Sequence, residues 1–193
     1  MSRPPELYVP ADPPPPDDEG AAAWPPEIYV PGPAPSADEL SRRVRALPGG
    51  EAGDPGSPEA VERRVYGLLR DPELLDSVLE RLDAELVDRD ASLVVGVGRR
   101  GALLAAPLAD RTGVPLLVFE DGELLGEARV PPGPALLVGD FLEPGGPLTG
   151  AAHRLEAAGA GVAGIAVLAA RADTPVRIDD YNVFVLCTLG YIT

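Results

Sequence analysis

Lysine is absent from this sequence, so all 16 of its basic residues are arginines and lysine is excluded as a catalytic group. Cysteine and histidine occur once each, as Cys187 and His153. A single cysteine cannot form an internal disulfide, and no second histidine or cysteine is available for a zinc site. Because Cys187 lies in an apolar C-terminal run, we expect a buried, inert thiol in a reducing compartment.

Long apolar runs are also missing. None approaches the roughly 18–20 residues of a membrane-spanning helix, and the N-terminal MSRPPELYVP has no apolar stretch of the kind found in signal peptides. Positive charge is scarce, since the formal net charge is −15. Such a charge disfavours binding to nucleic acid and to anionic membranes. We therefore expect a cytoplasmic protein with neither of these partners.

The N-terminal segment, residues 1–57, is rich in proline and acidic residues and has little apolar periodicity. This composition predicts a disordered or polyproline-like tail. It contains a repeated heptapeptide, PPELYVP at residues 4–10 and PPEIYVP at residues 25–31. The repeat is either a pair of short linear motifs for a protein partner or drift in a low-complexity segment.

Three helix starts precede the first apolar run. Ser36 or Asp38 can cap a short helix over Ala37–Ala46. The Ser-Pro-Glu at residues 57–59 and the Asp-Pro-Glu at residues 71–73 combine a capping side chain, a first-turn proline and an acidic first turn. These two signals predict longer helices.

Five apolar runs follow and predict five buried strands. They occupy residues 92–97, 115–119, 135–138, 162–168 and 183–189. Helix-like segments separate several of them. The alternation predicts an α/β fold with a doubly wound, mostly parallel sheet of about five strands flanked by helices. We assign this domain to residues 58–193 and the disordered tail to residues 1–57.

Two glycine-containing turns are the candidate ligand-binding sites of the sequence. The first, GVGRRG at residues 96–101, matches GxGxxG between a strand and a helix, and acidic residues 120–121 end the next strand. Alone, this pattern indicates an NAD-type dinucleotide-binding domain. The second turn, GDFLEPGGP at residues 139–147, also joins a strand to a helix. Both places suit an anion, because backbone N–H groups and a helix N-terminus face it.

The two turns together resemble those of the type I phosphoribosyltransferases. The ribose-phosphate motif of that family is four apolar residues, two acids, two apolar residues and a Thr-Thr/Ala-Gly-Gly-Thr loop. Asp140, Phe141, Leu142, Gly145 and Gly146 match it. A dinucleotide-binding domain has no use for a second phosphate turn, so the pair favours the phosphoribosyltransferase interpretation. Dinucleotide binding remains the alternative.

The resemblance implies transfer of a phosphoribosyl group from phosphoribosyl pyrophosphate to a base nitrogen in nucleotide salvage or synthesis, with Mg²⁺, in a homodimer. Asp140 would hold the ribose hydroxyls and help to organise Mg²⁺, and residues 120–134 would form a mobile cover loop. The pyrophosphate would be held by Arg99, Arg100 and Gly101. The 5-phosphate would be held by the backbone around Glu143, Gly145 and Gly146 and by the Thr149 hydroxyl.

Several residues depart from the family pattern. Gly139 replaces the first of the two acids, and Glu143, Pro144 and Pro147 replace hydroxyl residues. Glu143 brings negative charge to a phosphate site, and Pro147 removes an N–H donor. Besides dinucleotide binding, three hypotheses therefore stay open: an active transferase, a catalytically weakened sensor of phosphoribosyl ligands, or a non-catalytic interaction protein that acts through its tail motifs.

Overall fold

The computed structural model describes residues 35–48, 54, 56–125, 130–143, 145–174 and 177–189. The predicted disordered tail up to residue 34, with its repeated heptapeptide, lies outside the described residues. So do Pro144 and residues 126–129 of the predicted cover loop.

The described residues form five helices and seven strands. The helices are α1 (Ala37–Ala46), α2 (Pro58–Leu69), α3 (Pro72–Asp88), α4 (Gly98–Thr112) and α5 (Pro147–Ala157). The strands are β1 (Leu93–Val97), β2 (Leu116–Glu120), β3 (Glu123–Leu125), β4 (Pro134–Leu142), β5 (Gly161–Arg171), β6 (Arg177–Ile178) and β7 (Tyr181–Leu189). None of the described helices is long and apolar enough to cross a membrane.

The sheet has the strand order β3-β2-β1-β4-β5-β7-β6. The five central strands run parallel and are the five predicted ones, so the predicted fold class is confirmed. The predicted number of strands was too low, because β3 and β6 add short antiparallel edges. A hairpin turn joins β2 to β3 through Asp121 and Gly122, which have φ angles of 51° and 86°. Strands of two or three residues leave no readable periodicity.

Helices cover both faces of the sheet, as a doubly wound fold requires. Leu136 and Val138 of β4 belong to the core under α1–α4, whereas Ala135 and Leu137 belong to the core under α5. The alternation follows from the two-residue period of a strand. Because both faces are covered, β4 is apolar at all four of these positions.

The three predicted helix starts are confirmed by their capping hydrogen bonds. The Ser36 hydroxyl accepts from the Glu39 N–H at 3.2 Å, and the Ser57 hydroxyl accepts from an N–H in the first turn of α2. The Asp71 carboxylate accepts from the Leu74 N–H at 3.0 Å. Proline occupies the first turn of both α2 and α3, where its missing N–H costs nothing.

Helix α1 packs into the core although the sequence assigns it to the tail. Its Leu40 and Val44 are buried, and the helix lies against β7 and α3. The division of the chain into tail and domain stays a prediction. The packing nevertheless places residues 37–46 with the α/β core rather than with the proline-rich segment.

We expect Leu40→Ala to lower the free energy of unfolding by about 2–4 kcal/mol, because it leaves a cavity between α1 and the sheet. Urea unfolding followed by circular dichroism measures the effect. Arg42→Ala, on the solvent face of the same helix, is the control and should stay within about 0.5 kcal/mol. Equal small effects of both changes would mean that α1 does not unfold with the domain.

Cys187 lies on β7 and is buried, as predicted for an inert thiol. Burial raises its pKa to about 11, against the opposing charges of Arg64 and Arg45. The neutral thiol therefore favours the folded state below pH 9, and this contribution is lost as the pH rises through 9 to 11. We expect a disulfide reagent at pH 8 to label Cys187 only at the rate of unfolding. Fast labelling of the native protein would contradict this burial.

Candidate functional site

The candidate site lies where the chain changes direction across the sheet. Strands β1 and β4 are parallel neighbours. From β1 the chain passes through α4 to β2 on one side, and from β4 it passes through α5 to β5 on the other. Such a switch point leaves a crevice at the carboxyl ends of the two strands. A cavity of about 350 Å³ lies there, lined by Glu62, Gly98, Arg99, Arg100, Gly139, Asp140, Phe141, Pro147 and Leu148, among others.

The first glycine turn is shaped by close backbone packing. A Cβ atom on Gly101 would lie 2.5 Å from the carbonyl oxygen of Val138, and one on Gly96 would lie 2.6 Å from the Cα of Ala102. Gly98 begins α4 with a φ of 69°, a conformation that favours glycine. These contacts seat the N-terminus of α4 directly against β1 and β4. Arg99, in the first turn of α4, thereby lines the cavity.

The second turn is held by its own hydrogen bonds. The Gly146 N–H donates to the Glu143 carbonyl at 3.1 Å, and Gly145 takes a left-handed φ of 71°. Helix α5 begins at Pro147, and the Thr149 N–H donates to the Gly146 carbonyl at 3.1 Å. The amides of Gly146 and Thr149 therefore serve the turn itself.

The structure brings together only part of the predicted site. Arg99, Arg100 and Asp140 line one cavity, although Arg100 and Asp140 lie 40 residues apart in the chain. Gly101 is buried behind them against β4. The remaining predicted residues lie on the adjoining turn and helix and are not among the residues that line the cavity: Glu143, Gly145, Gly146 and Thr149.

Sequence reasoning missed Glu62. This residue lies on α2 and lines the cavity together with residues of the two glycine turns. No motif surrounds it, and α2 reads as an ordinary amphipathic helix. Only the packing of α2 against the rest of the domain, a tertiary feature, places Glu62 there.

An ion pair crosses the cavity. The Arg100 Nε–H donates to the Asp140 carboxylate, and the two side chains are 31% and 15% exposed. Burial acts to lower the pKa of the Arg100 guanidinium, but the hydrogen bond from Arg100 to Asp140 and the charges of Asp140, Glu62 and Glu143 raise it overall. The pair joins the two glycine turns, so a ligand that uses either group must compete with the other.

Position 139 is closely packed. A Cβ atom on Gly139 would lie 3.1 Å from a methyl group of Leu148. Leu148 is buried at the start of α5 and belongs to the core on that side of the sheet. A side chain at position 139 would require the Leu148 methyl group to shift by a few tenths of an ångström. With glycine there, β4 supplies one cavity acid, Asp140, instead of two.

A second ion pair lies just before α2. Asp54 accepts a hydrogen bond from the Gly56 N–H at 2.9 Å and pairs with Arg171 at the end of β5. The Gly56 hydrogen bond, helped by Arg171, lowers the pKa of Asp54 below its ordinary value. A Cβ atom on Gly56 would lie 3.1 Å from the Phe141 ring. The start of α2 is thus tied to β5 and β4 beside the cavity.

Comparisons with known proteins identify the family. No protein-family model matches the chain. The adenine phosphoribosyltransferase of Streptomyces clavuligerus is 30% identical over 150 residues, which are 67% of this chain and 82% of that protein. The enzyme of the same name from Frankia casuarinae is 34% identical over 154 residues, covering 68% and 79% of the two chains.

Solved structures agree on the fold. The adenine phosphoribosyltransferase of Thermoanaerobacter pseudethanolicus has a TM-score of 0.57 at 24% identity, covering 64% of this chain and 86% of that chain. The orotate phosphoribosyltransferase of Aeropyrum pernix has a TM-score of 0.56 at 24% identity, covering 64% and 75%. With the sequence relatives, these likenesses show that the chain belongs to the phosphoribosyltransferase family.

Proposed function

We propose that this protein binds phosphoribosyl pyrophosphate in the cavity between β1 and β4 and transfers its phosphoribosyl group to adenine or a similar purine. The observation that carries the proposal is the meeting of Arg99, Arg100 and Asp140 in one cavity at the switch point of the sheet. The names of the sequence relatives support adenine as the acceptor. The cavity chemistry supports an anionic ligand with hydroxyl groups.

The cavity offers a different group for each part of such a ligand. The guanidinium groups of Arg99 and Arg100, with the positive end of α4, suit the pyrophosphate. The Asp140 carboxylate suits a ribose hydroxyl, because an ionised carboxylate only accepts hydrogen bonds. We assign the 5-phosphate to the adjoining turn and helix start, which carry Glu143, Gly145, Gly146 and Thr149.

The proposed reaction exchanges one bond for another at the anomeric carbon. The bond from that carbon to pyrophosphate oxygen breaks, and its electron pair leaves with the pyrophosphate. A ring nitrogen of adenine supplies the electron pair of the new bond and releases its proton to water or to the departing pyrophosphate. Fixed positive groups such as Arg99 and Arg100 stabilise the charge that develops on the leaving group, and the cavity positions the reactants.

The Asp140 carboxylate suits a magnesium ion that arrives with the phosphates of the ligand. Within the described residues there is no group of three or more side chains suited to hold a metal. Mg²⁺ commonly binds through one or two carboxylates together with substrate phosphates, and Asp140 would be the protein's contribution. Bound there, the ion would neutralise charge on the departing pyrophosphate.

A second candidate function is nucleotide sensing without transfer. Two features favour it: Gly139 leaves β4 with one cavity acid, and Arg100 is already paired with Asp140. A ligand must release this pair before pyrophosphate reaches Arg100. Binding of a nucleotide would then be retained while the transfer step is slow.

Product formation separates the two candidates. We expect the protein, given radiolabelled adenine, phosphoribosyl pyrophosphate and Mg²⁺, to form labelled AMP. Arg100→Gln should lose this activity, whereas Arg111→Gln, at the exposed end of the same helix, should keep it. Binding without product would favour the sensor. The absence of both ligand binding and product formation would overturn the proposal.

The family resemblance implies a homodimer. Light scattering of the protein eluted from a size-exclusion column measures the molecular mass that tests it.

The repeated heptapeptide is a proposed protein-binding segment. Deletion of residues 1–34 should leave AMP formation unchanged and should abolish the binding of any partner that depends on the heptapeptide.

A further inference from the structure

The cavity contains a carboxylate that the family motif does not supply. Glu62 comes from α2, whereas the motif places both of its acids at the end of one strand. In this chain the first of those positions is Gly139, where a Cβ atom would lie 3.1 Å from a methyl group of the buried Leu148. The second carboxylate that lines the cavity therefore comes from α2 rather than from β4.

Glu62 shares an electrostatic environment with the Arg100–Asp140 pair. Its charge is one of those that act on the Arg100 guanidinium, together with Asp140. The helix that carries it packs against α3 and β4, and Asp54 binds the Gly56 N–H and Arg171 just before the helix begins. Glu62 itself is half-buried.

We propose that Glu62 is the second hydroxyl-binding carboxylate of the site and accepts hydrogen bonds from the ribose of the ligand, in place of the acid missing at position 139. This inference rests on the proposed function. An ionised carboxylate is an acceptor with several lone pairs, which suits neighbouring hydroxyl groups. It repels phosphate, so the ribose rather than the pyrophosphate is the part of the ligand that Glu62 can bind.

Binding of small ligands tests this assignment without any chemistry. Calorimetry of the wild type, Glu62→Gln and Glu59→Gln uses ribose 5-phosphate, 2-deoxyribose 5-phosphate and inorganic pyrophosphate. We expect Glu62→Gln to bind ribose 5-phosphate about tenfold more weakly, the size of one hydrogen bond to a charged group. It should bind pyrophosphate equally well or more tightly, because a negative charge is removed. Glu59→Gln makes the same change on the same helix outside the cavity and should alter neither.

The deoxy sugar supplies the decisive comparison. The wild type should prefer ribose 5-phosphate over its 2-deoxy form, and Glu62→Gln should lose most of that preference. A preference that survives in Glu62→Gln would overturn the assignment, even if all affinities fall together. If the wild type binds neither pyrophosphate, ribose 5-phosphate nor phosphoribosyl pyrophosphate, the proposed function fails as well, so the two failures are distinguishable.

Discussion

Gly101→Ala lowers the free energy of unfolding by about 3 kcal/mol and disrupts the cavity, because the added methyl group has no space. Its Cβ atom would lie 2.5 Å from the Val138 carbonyl oxygen and 3.3 Å from the Cα of Gly139, and both neighbours are backbone. Helix α4 must therefore move away from β4. Alanine favours a helix over glycine by only about 0.5–1 kcal/mol, which does not offset the clash.

Gly150→Ala is the matched control for this prediction. Gly150 also lies inside a helix, α5, but a Cβ atom there would meet the Phe119 ring at 3.6 Å, an ordinary contact distance. We expect it to raise the free energy of unfolding by about 0.5–1 kcal/mol. Urea unfolding of both variants gives the comparison. Equal stability of the two variants would show that α4 does not need its close approach to β4.

Asp140→Asn weakens the binding of phosphoribosyl pyrophosphate by about a hundredfold, which corresponds to the loss of a strong hydrogen bond to a charged acceptor. The change keeps the shape of the side chain and removes its charge. It also removes the ionic partner of Arg100. Inorganic pyrophosphate, which needs only the arginines, should therefore bind at least as tightly as before.

An aspartate in a surface ion pair supplies the control. Asp76 pairs with Arg111, and both side chains are more than one third exposed. Asp76→Asn should change neither affinity, and surface pairs of this kind contribute little to stability. Competition calorimetry measures the affinities of the wild type and of both variants for phosphoribosyl pyrophosphate and for pyrophosphate. An Asp140→Asn variant that binds phosphoribosyl pyrophosphate normally would move the ribose site elsewhere.

The elements with strong local signals could be predicted from the sequence. Capping side chains marked α1, α2 and α3, with first-turn prolines in α2 and α3, and continuous apolar runs marked the five parallel strands. These signals are local because a helix start or a doubly covered strand imposes its demands on adjacent residues. Strands β3 and β6 were missed because so few residues carry no pattern.

The site was harder to predict because its groups meet only through packing. The GxGxxG pattern fitted a dinucleotide loop equally well, because Gly96 and Gly101 are needed where backbone segments approach closely and do not specify a ligand. Glu62 and the Arg100–Asp140 pair depend on how α2 and α4 lie over the sheet. No local signal in the sequence specifies either arrangement.

The absence of an acid at position 139 illustrates the same limit. From the sequence, Gly139 reads only as a loss from the ribose-binding motif. In the structure, a Cβ atom at this position would lie 3.1 Å from a methyl group of Leu148. The proposed replacement of the missing carboxylate by Glu62 depends on the packing of α2, which the sequence does not connect with position 139.

Calorimetric titration of the full chain with phosphoribosyl pyrophosphate and Mg²⁺ shows whether the cavity between β1 and β4 binds this ligand. We expect saturable binding of one ligand per chain, abolished by Arg100→Gln and strongly weakened by Asp140→Asn, with Asp76→Asn unchanged. No heat at millimolar ligand, or binding indifferent to both cavity substitutions, would contradict this expectation.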